Sequence, residues 1–208
     1  MRGGLRYGAM TDPRSDDLQA LVFKNRGALL TIPAALLATF GKPSAFSVTV
    51  GLPLAIAGEL VRCWAVGYSG VTTRGDRVEA PELVTAGPYA HVRNPLYAGN
   101  FITALGFSIA FTGGNTLGAK LGLIGASLGT MAAVYATIVP HEERFLRAEF
   151  GSEFDAYCER VPPLLPRAEP ADGGRGSWRP SVIAEAESKT FATFGAMLGL
   201  LAIKALGA

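Results

Sequence analysis

The stretch Gly87-Pro88-Tyr89-Ala90-His91-Val92-Arg93-Asn94-Pro95-Leu96-Tyr97 decides how the rest of the chain is read. Two prolines and a glycine stop it from forming one smooth helix, because proline lacks an N–H donor and restricts the residue before it. It holds one of only two histidines. Long apolar runs lie on either side of it. A second polar knot, His141-Glu142-Glu143-Arg144, stands at the far end of the next long apolar tract. Between the knots, residues 96–112 and 116–139 read as two spans joined at Gly113-Gly114-Asn115, a strong turn signal. A tight hairpin starts and ends on one face, so both knots are expected at the same membrane surface.

Composition supports a membrane reading. The chain has 208 residues, of which 49% are hydrophobic and 17% charged. Soluble domains carry roughly 25% charged residues. The net charge of +2 gives no electrostatic footprint for nucleic acid, and no nucleic-acid partner is expected. Cys63 and Cys158 are far apart and make no metal-ligand spacing. With two histidines beside them, no metal site is expected. The first 26 residues are polar and mixed in charge, so no secretory signal is expected there.

Further spans follow from the apolar runs. The first is expected at 27–40, short for a bilayer that needs about 20 helical residues. Residues 18–23 are either a separate surface helix or the first turns of this span. The second runs over 46–68 and places Glu59 and Arg62 on one helix face, either as a structural ion pair or as a functional pair. Residues 69–94 are a hydrophilic connection with Arg74, Asp76, Arg77, Glu79 and Glu82. Residues 142–160 form an amphipathic helix after a span that ends at Pro140, with Gly151 interrupting it. Residues 168–180, rich in Gly, Pro and Arg, read as a mobile linker. A last span follows at 190–206.

The fold class is therefore all-α: an integral membrane bundle of about five transmembrane helices, with an amphipathic helix before the last one. The expected divisions are a polar or amphipathic segment at 1–26, a membrane core at 27–167, a linker at 168–189 and a C-terminal membrane helix at 190–208. Most of the 19 lysines and arginines fall in the N-terminal segment, the 69–94 loop and residues 140–189. The opposite side has only Lys42, Lys120 and Lys204. By the positive-inside rule both knots face the cytoplasm. Oligomeric state is not readable from the sequence.

The knots carry groups suited to holding a small molecule. Arg93 can pair with a carboxylate or phosphate, Asn94 offers donor and acceptor, and Tyr89 and Tyr97 offer ring faces and hydroxyls. Glu142 and Glu143 point about 100° apart on a helix and need not serve one purpose. These features alone fit a headgroup clamp as well as a catalytic pocket.

Residues Thr85-Ala86-Gly87-Pro88-Tyr89-Ala90-His91-Val92-Arg93-Asn94-Pro95-Leu96-Tyr97-Ala98-Gly99, followed by Glu142-Glu143-Arg144-Phe145-Leu146, Phe150-Gly151, Tyr157 and Val161-Pro162, resemble the isoprenylcysteine carboxyl methyltransferase family. That family is one branch of a wider group of membrane methyltransferases that includes phospholipid N-methyltransferases. The resemblance covers roughly residues 51–167. It departs from the family pattern at Asn94, where a histidine is usual, at Pro163, where an arginine is frequent, and at Phe154, where a tyrosine is common. The Asn94-Pro95 pair looks more like some phospholipid methyltransferases.

The resemblance implies an enzyme that uses S-adenosylmethionine without a soluble nucleotide-binding domain. Tyr89, His91, Arg93, Asn94, Pro95, Tyr97, Glu142 and Glu143 would line the cofactor pocket. Glu143 and Arg144 would be catalytic, and Arg144 with Arg147 would face an acidic acceptor. The acceptor would be lipid-like or small and apolar, arriving sideways from the bilayer for O-methylation of a prenylcysteine-like carboxyl or N-methylation of a phospholipid. Two other readings compete: a membrane isoprenoid or sterol-type reductase with a nicotinamide cofactor, and a non-catalytic lipid-binding protein. The Ala/Gly/Arg-rich composition points to a prokaryotic inner membrane.

Overall fold

From Pro13 the chain enters a single uninterrupted helix, α1 (Pro13–Phe40), so residues from Leu18 onward are the first turns of the first span. The computed structural model describes residues 13–70 and 80–207. Residues 1–12, the loop residues Arg74, Asp76, Arg77 and Glu79, and Ala208 lie outside the described residues.

Ser44 starts the second helix with a capping box. Its hydroxyl accepts from Ser47 N at 3.2 Å, and Ser47 Oγ accepts from Ser44 N at 3.0 Å. Helix α2 (Ala45–Ser69) leads to the polar loop, and a 3-10 turn at Gly87–Ala90 precedes α3 (Pro95–Thr112). Pro95 opens α3 at its first position, where a missing N–H costs nothing. Then come α4 (Leu117–Phe150), α5 (Ser152–Arg160) and α6 (Ile183–Leu206). All regular structure among the described residues is helical.

Among the described residues, four segments are long and apolar enough to cross a membrane: Leu18–Phe40, Ala45–Ser69, Leu117–Phe150 and Pro180–Leu206. Their outward faces carry exposed Ile32, Phe46, Leu60, Leu121 and Ile203, a surface that suits acyl chains. Helix α3 has 18 residues, about 27 Å at the α-helical rise. It packs against α2 along a seam of small residues. A Cβ on Gly106 would lie 2.3 Å from Ala55 N, and one on Gly58 would lie 2.4 Å from Thr103 N. In lipid, where apolar surface gains little from leaving solvent, such close backbone contact is what holds helices together.

The two ends of the bundle differ. At one end Gly114 N donates to Lys42 O at 2.7 Å, Asn115 Nδ2 to Phe40 O at 3.0 Å, and Lys204 Nζ to Gly41 O at 3.0 Å. That end gathers both tight turns and the end of α6. The other end gathers both polar knots, α5 and the start of α6.

Two expectations are corrected. The fourth span does not stop at Pro140, because α4 continues through it to Phe150. Packing on both sides of the proline keeps the axis helical: Ile138 and Val139 are buried before it, and Glu142 and Glu143 are held by other elements after it. The helix turns only at Gly151, which has φ +54°. Nor is 168–180 a loose linker. Ala171 N donates to Ala90 O at 2.9 Å, Thr85 N and Ala86 N both donate to Arg175 O at 2.9 Å, and Arg179 N donates to Gly67 O at 2.8 Å. Composition suggests mobility there, but these bonds lash the strap across the first knot, and α6 begins at Ile183 rather than at 190.

Candidate functional site

The first knot is closed by one side chain. Arg93 Nε donates to Glu143 Oε1 at 2.9 Å, and its Nη1 donates to Val161 O at 2.7 Å and Cys158 O at 3.3 Å. Arg93 N donates to Pro162 O at 2.9 Å. A single guanidinium thus ties the first knot to α4 and to the end of α5. Beside it, Tyr97 OH donates to Glu142 Oε1 at 2.6 Å, and Asn94 Nδ2 donates to Pro163 O at 3.0 Å. Gly87 adopts φ +60°, and a Cβ there would sit 2.2 Å from the Tyr68 ring. Only glycine fits that corner. Tyr157 OH donates to Tyr89 O at 2.7 Å, which fixes the turn that presents the Tyr89 ring. Burial raises the Tyr89 phenol to about 12, so it is a neutral donor near neutral pH.

These groups surround a cavity of about 760 Å³. Tyr89, Arg93, Asn94, Pro95, Tyr97, Glu142 and Glu143 all line it. Three other predicted residues do not. His91 points the other way, with Nδ1 3.0 Å from Arg167 O, and its ring packs near Trp64. Arg144, next to Glu143 on α4, turns toward α1 and is held by Gln19. Arg147 is paired with Asp155 at 2.7 Å on the exposed surface. The 100° step between neighbours on a helix separates Arg144 from the cavity that Glu143 reaches.

Sequence reasoning reached only Arg62 and Glu59 in the deeper half of the site and missed Asn100, Tyr135 and Glu187. Arg62 on α2 is buried, and its Nη2 donates to both oxygens of Glu187 at 3.0 and 2.8 Å. Its Nε lies 3.5 Å from Glu59 Oε2, and its Nη1 donates to Asn100 Oδ1. Asn100 Nδ2 donates to Tyr135 OH at 2.7 Å. Arg62, Asn100, Tyr135 and Glu187 line the same cavity. Gly99 makes room for this arginine, since a Cβ there would meet Arg62 Cγ at 2.7 Å. The sequence signals were present: Asn100 follows Tyr97 by three residues, and Tyr135 precedes Glu142 by seven, so each pair shares a helix face. The Glu59–Arg62 pair was legible, but not its long-range partner Glu187.

The cavity spans two environments. One part is walled by the polar knots and by Leu83, Leu146, Phe154 and Tyr157. The other is bordered by Leu30, Thr31 and Ala34 of α1 and by Thr190 and Thr193 of α6, within membrane-crossing segments. No cluster of three or more His, Cys, Asp or Glu that could hold a metal ion occurs among the described residues.

Comparison with known proteins bears on this geometry. The phospholipid methyltransferase family profile matches residues 46–153, from α2 to the start of α5. The chain belongs to the phospholipid methyltransferase family. Members of the wider group are similar to it: a probable protein-S-isoprenylcysteine O-methyltransferase of Oryza sativa subsp. indica is 32% identical over 58% of this chain and 61% of its own length. Protein-S-isoprenylcysteine O-methyltransferase B of Arabidopsis thaliana is 30% identical over 56% of this chain and 57% of its own. The nickel-cobalt-cadmium resistance protein of Alcaligenes xylosoxydans xylosoxydans is 35% identical over 60% of this chain and 52% of its own. The chain spans between half and two thirds of the length of these relatives. No solved structure matches. The family segment includes both polar knots and Arg62, Asn100 and Tyr135, but not Glu187.

Proposed function

We propose that this protein is an integral membrane methyltransferase that uses S-adenosylmethionine and methylates a lipid-like or small apolar acceptor, with its site at the cytoplasmic face of a prokaryotic inner membrane. The observation that carries this reading is a single cavity walled at one end by both polar knots and at the other by membrane-crossing helices.

The residues present suit the cofactor. Pockets for ligands of that size run to roughly 300–1,000 Å³, and the cavity measures about 760 Å³. Carboxylates and tyrosine rings suit a sulfonium cation and its ammonium, since ring faces and anions both attract cations. Glu142 uses Oε1 to accept from Tyr97, which leaves Oε2 for a ligand's ammonium or hydroxyl. Asn94 and the backbone of the first knot offer complementary polar groups. When bound, S-adenosylmethionine supplies an already activated methyl group.

The chain's own work is then to bind, orient and exclude water. Tyr97 fixes the Glu142 carboxylate, and Arg93 fixes Glu143. The apolar side chains of Leu83, Leu146 and Phe154 shield the cavity from the aqueous side. An acceptor entering between α1 and α6 would keep its tail in the bilayer. A carboxylate acceptor needs no base, whereas an amine or thiol must lose a proton, for which Glu142 or Glu143 is at hand. Family membership favours methyl transfer over the nicotinamide reductase reading.

The test is transfer of a labelled methyl group from S-adenosylmethionine by purified protein reconstituted into vesicles of total lipid from the expression host, followed by chromatography of the lipids. Label in a lipid fraction, lost in Glu142→Ala, supports the proposal. A folded protein that labels no lipid and binds no S-adenosylmethionine contradicts it.

A further inference from the structure

The inner part of the cavity contains a chain of hydrogen bonds whose direction is fixed by chemistry. Arginine has only donors, and carboxylate only acceptors. Arg62 Nη2 must therefore donate to Glu187, at 3.0 and 2.8 Å, and its Nη1 must donate to the oxygen of Asn100. That orients the Asn100 amide: its oxygen faces Arg62, so its NH2 faces Tyr135. The usual ambiguity of an amide side chain does not arise here. Nδ2 donates to Tyr135 OH at 2.7 Å. The phenol oxygen is thus an acceptor, and its own hydrogen remains to be donated. Tyr135 is 2% exposed and lines the cavity. Among the described residues no acceptor meets that hydrogen.

Nothing in ordinary packing calls for this arrangement. A buried hydroxyl normally satisfies its hydrogen, because an unused donor away from water loses its hydration without return. Tyr135 belongs to an apolar cluster with Phe23, Met131, Val134 and Ile138, and Phe101 packs on its ring edge-on. Its ring lies 4.3 Å from that of Tyr97, whose hydroxyl is already committed as a donor to Glu142. At the other end of the chain, Glu187 is fully buried and belongs to α6, beyond the family segment that ends at residue 153.

We propose that Tyr135 is a ligand-facing hydrogen-bond donor in the inner cavity, and that Glu187 of α6 is a positioning residue that holds Arg62, and through it Asn100, in the place that fixes the direction of the bond to Tyr135. The ligand atom it takes is an oxygen with lone pairs on the methyl acceptor, a carbonyl, carboxylate or phosphate oxygen, rather than part of the cofactor. That assignment follows from depth: Tyr135 stands seven residues before Glu142, two helical turns further from the end of α4 that carries the second knot. The assignment of the ligand rests on the methyltransferase reading. The directed relay does not.

The experiment uses the full-length protein in lipid nanodiscs, with 3-fluorotyrosine at position 135 and fluorine NMR. Glu187→Gln keeps shape and hydrogen-bonding capacity but can present an NH2 to Arg62, and Asn100→Ala cuts the relay next to Tyr135. Both variants are expected to shift the Tyr135 resonance, and adding Glu187→Gln to Asn100→Ala is expected to shift it no further. A resonance unmoved by Glu187→Gln, or an additional shift in the double variant, overturns the relay. In parallel, methyl incorporation into host-lipid vesicles is expected to show a rise in acceptor KM of about fivefold to tenfold for Tyr135→Phe and for Glu187→Gln, the worth of one hydrogen bond. The double variant is expected to be no worse than Tyr135→Phe alone, and the Kd for S-adenosylhomocysteine is expected to stay unchanged. Additive losses, or weaker S-adenosylhomocysteine binding in Tyr135→Phe, overturn the assignment to the acceptor. Wild-type protein that binds no S-adenosylhomocysteine counts against the methyltransferase reading instead, and the NMR arm still decides the relay.

Discussion

Replacing Arg93 by methionine removes the clasp of the first knot, and the structure sets the size of the effect. The Arg93 and Glu143 side chains are only 12% and 18% exposed. Breaking a buried pair by deleting one partner costs about 3–5 kcal/mol, mostly because the other charge is stranded. Some solvent reaches this pair, so about 3 kcal/mol is the appropriate figure for that part. The bonds from Arg93 Nη1 to Val161 O at 2.7 Å and Cys158 O at 3.3 Å are lost as well, and the shorter one adds about 1 kcal/mol. Arg93→Met is therefore expected to lose about 4 kcal/mol. Arg93→Met/Glu143→Leu leaves no stranded carboxylate and is expected to lose only about 1–2 kcal/mol. Equilibrium unfolding in mixed micelles, followed by tryptophan fluorescence, measures this well. Trp64 lies near His91, and Trp178 packs on Gly67, so both tryptophans sit at the affected end. A loss below about 1 kcal/mol in Arg93→Met, or a double variant less stable than the single, would show that Arg93 is not the clasp.

Other outcomes follow from the same geometry. Gly106→Val forces a Cβ to within 2.3 Å of Ala55 N, so it should separate α2 from α3 and lower the thermal midpoint by more than any exposed glycine change such as Gly122→Val, measured by differential scanning fluorimetry in detergent. His91→Ala and Arg144→Ala should retain S-adenosylhomocysteine affinity within about twofold of wild type in microscale thermophoresis, a factor below 0.5 kcal/mol, because neither side chain lines the cavity. Trp178→Ala should loosen the strap that bonds to Thr85 and Gly67, and trypsin should then cut faster at Arg175 and Arg179, read by mass spectrometry of timed digests.

Much of this architecture was legible in the sequence because membranes simplify the problem. Apolar run lengths and the Gly113-Gly114-Asn115 turn placed the hairpin, and the hairpin placed both knots together. What escaped depended on tertiary contact. Pro140 is a helix breaker in isolation, yet α4 runs through it, because neighbouring packing holds the axis and proline is tolerated inside membrane helices. The strap at 168–180 has the composition of a linker, but backbone bonds to Ala90, Thr85 and Gly67 carry no side-chain signature. His91 and Arg144 lay within the most informative motifs and still face away from the cavity, since neighbours in a motif take different directions. Glu187 could not be paired with Arg62 by pattern, because 125 residues separate them.

In the proposed function, both polar knots wall one cofactor cavity. Calorimetric titration of detergent-purified protein with S-adenosylhomocysteine tests it most directly, with Glu142→Ala and His91→Ala titrated alongside. Roughly micromolar binding is expected for wild type and for His91→Ala, and none for Glu142→Ala. Folded wild-type protein that binds nothing, or Glu142→Ala that binds like wild type, would contradict it.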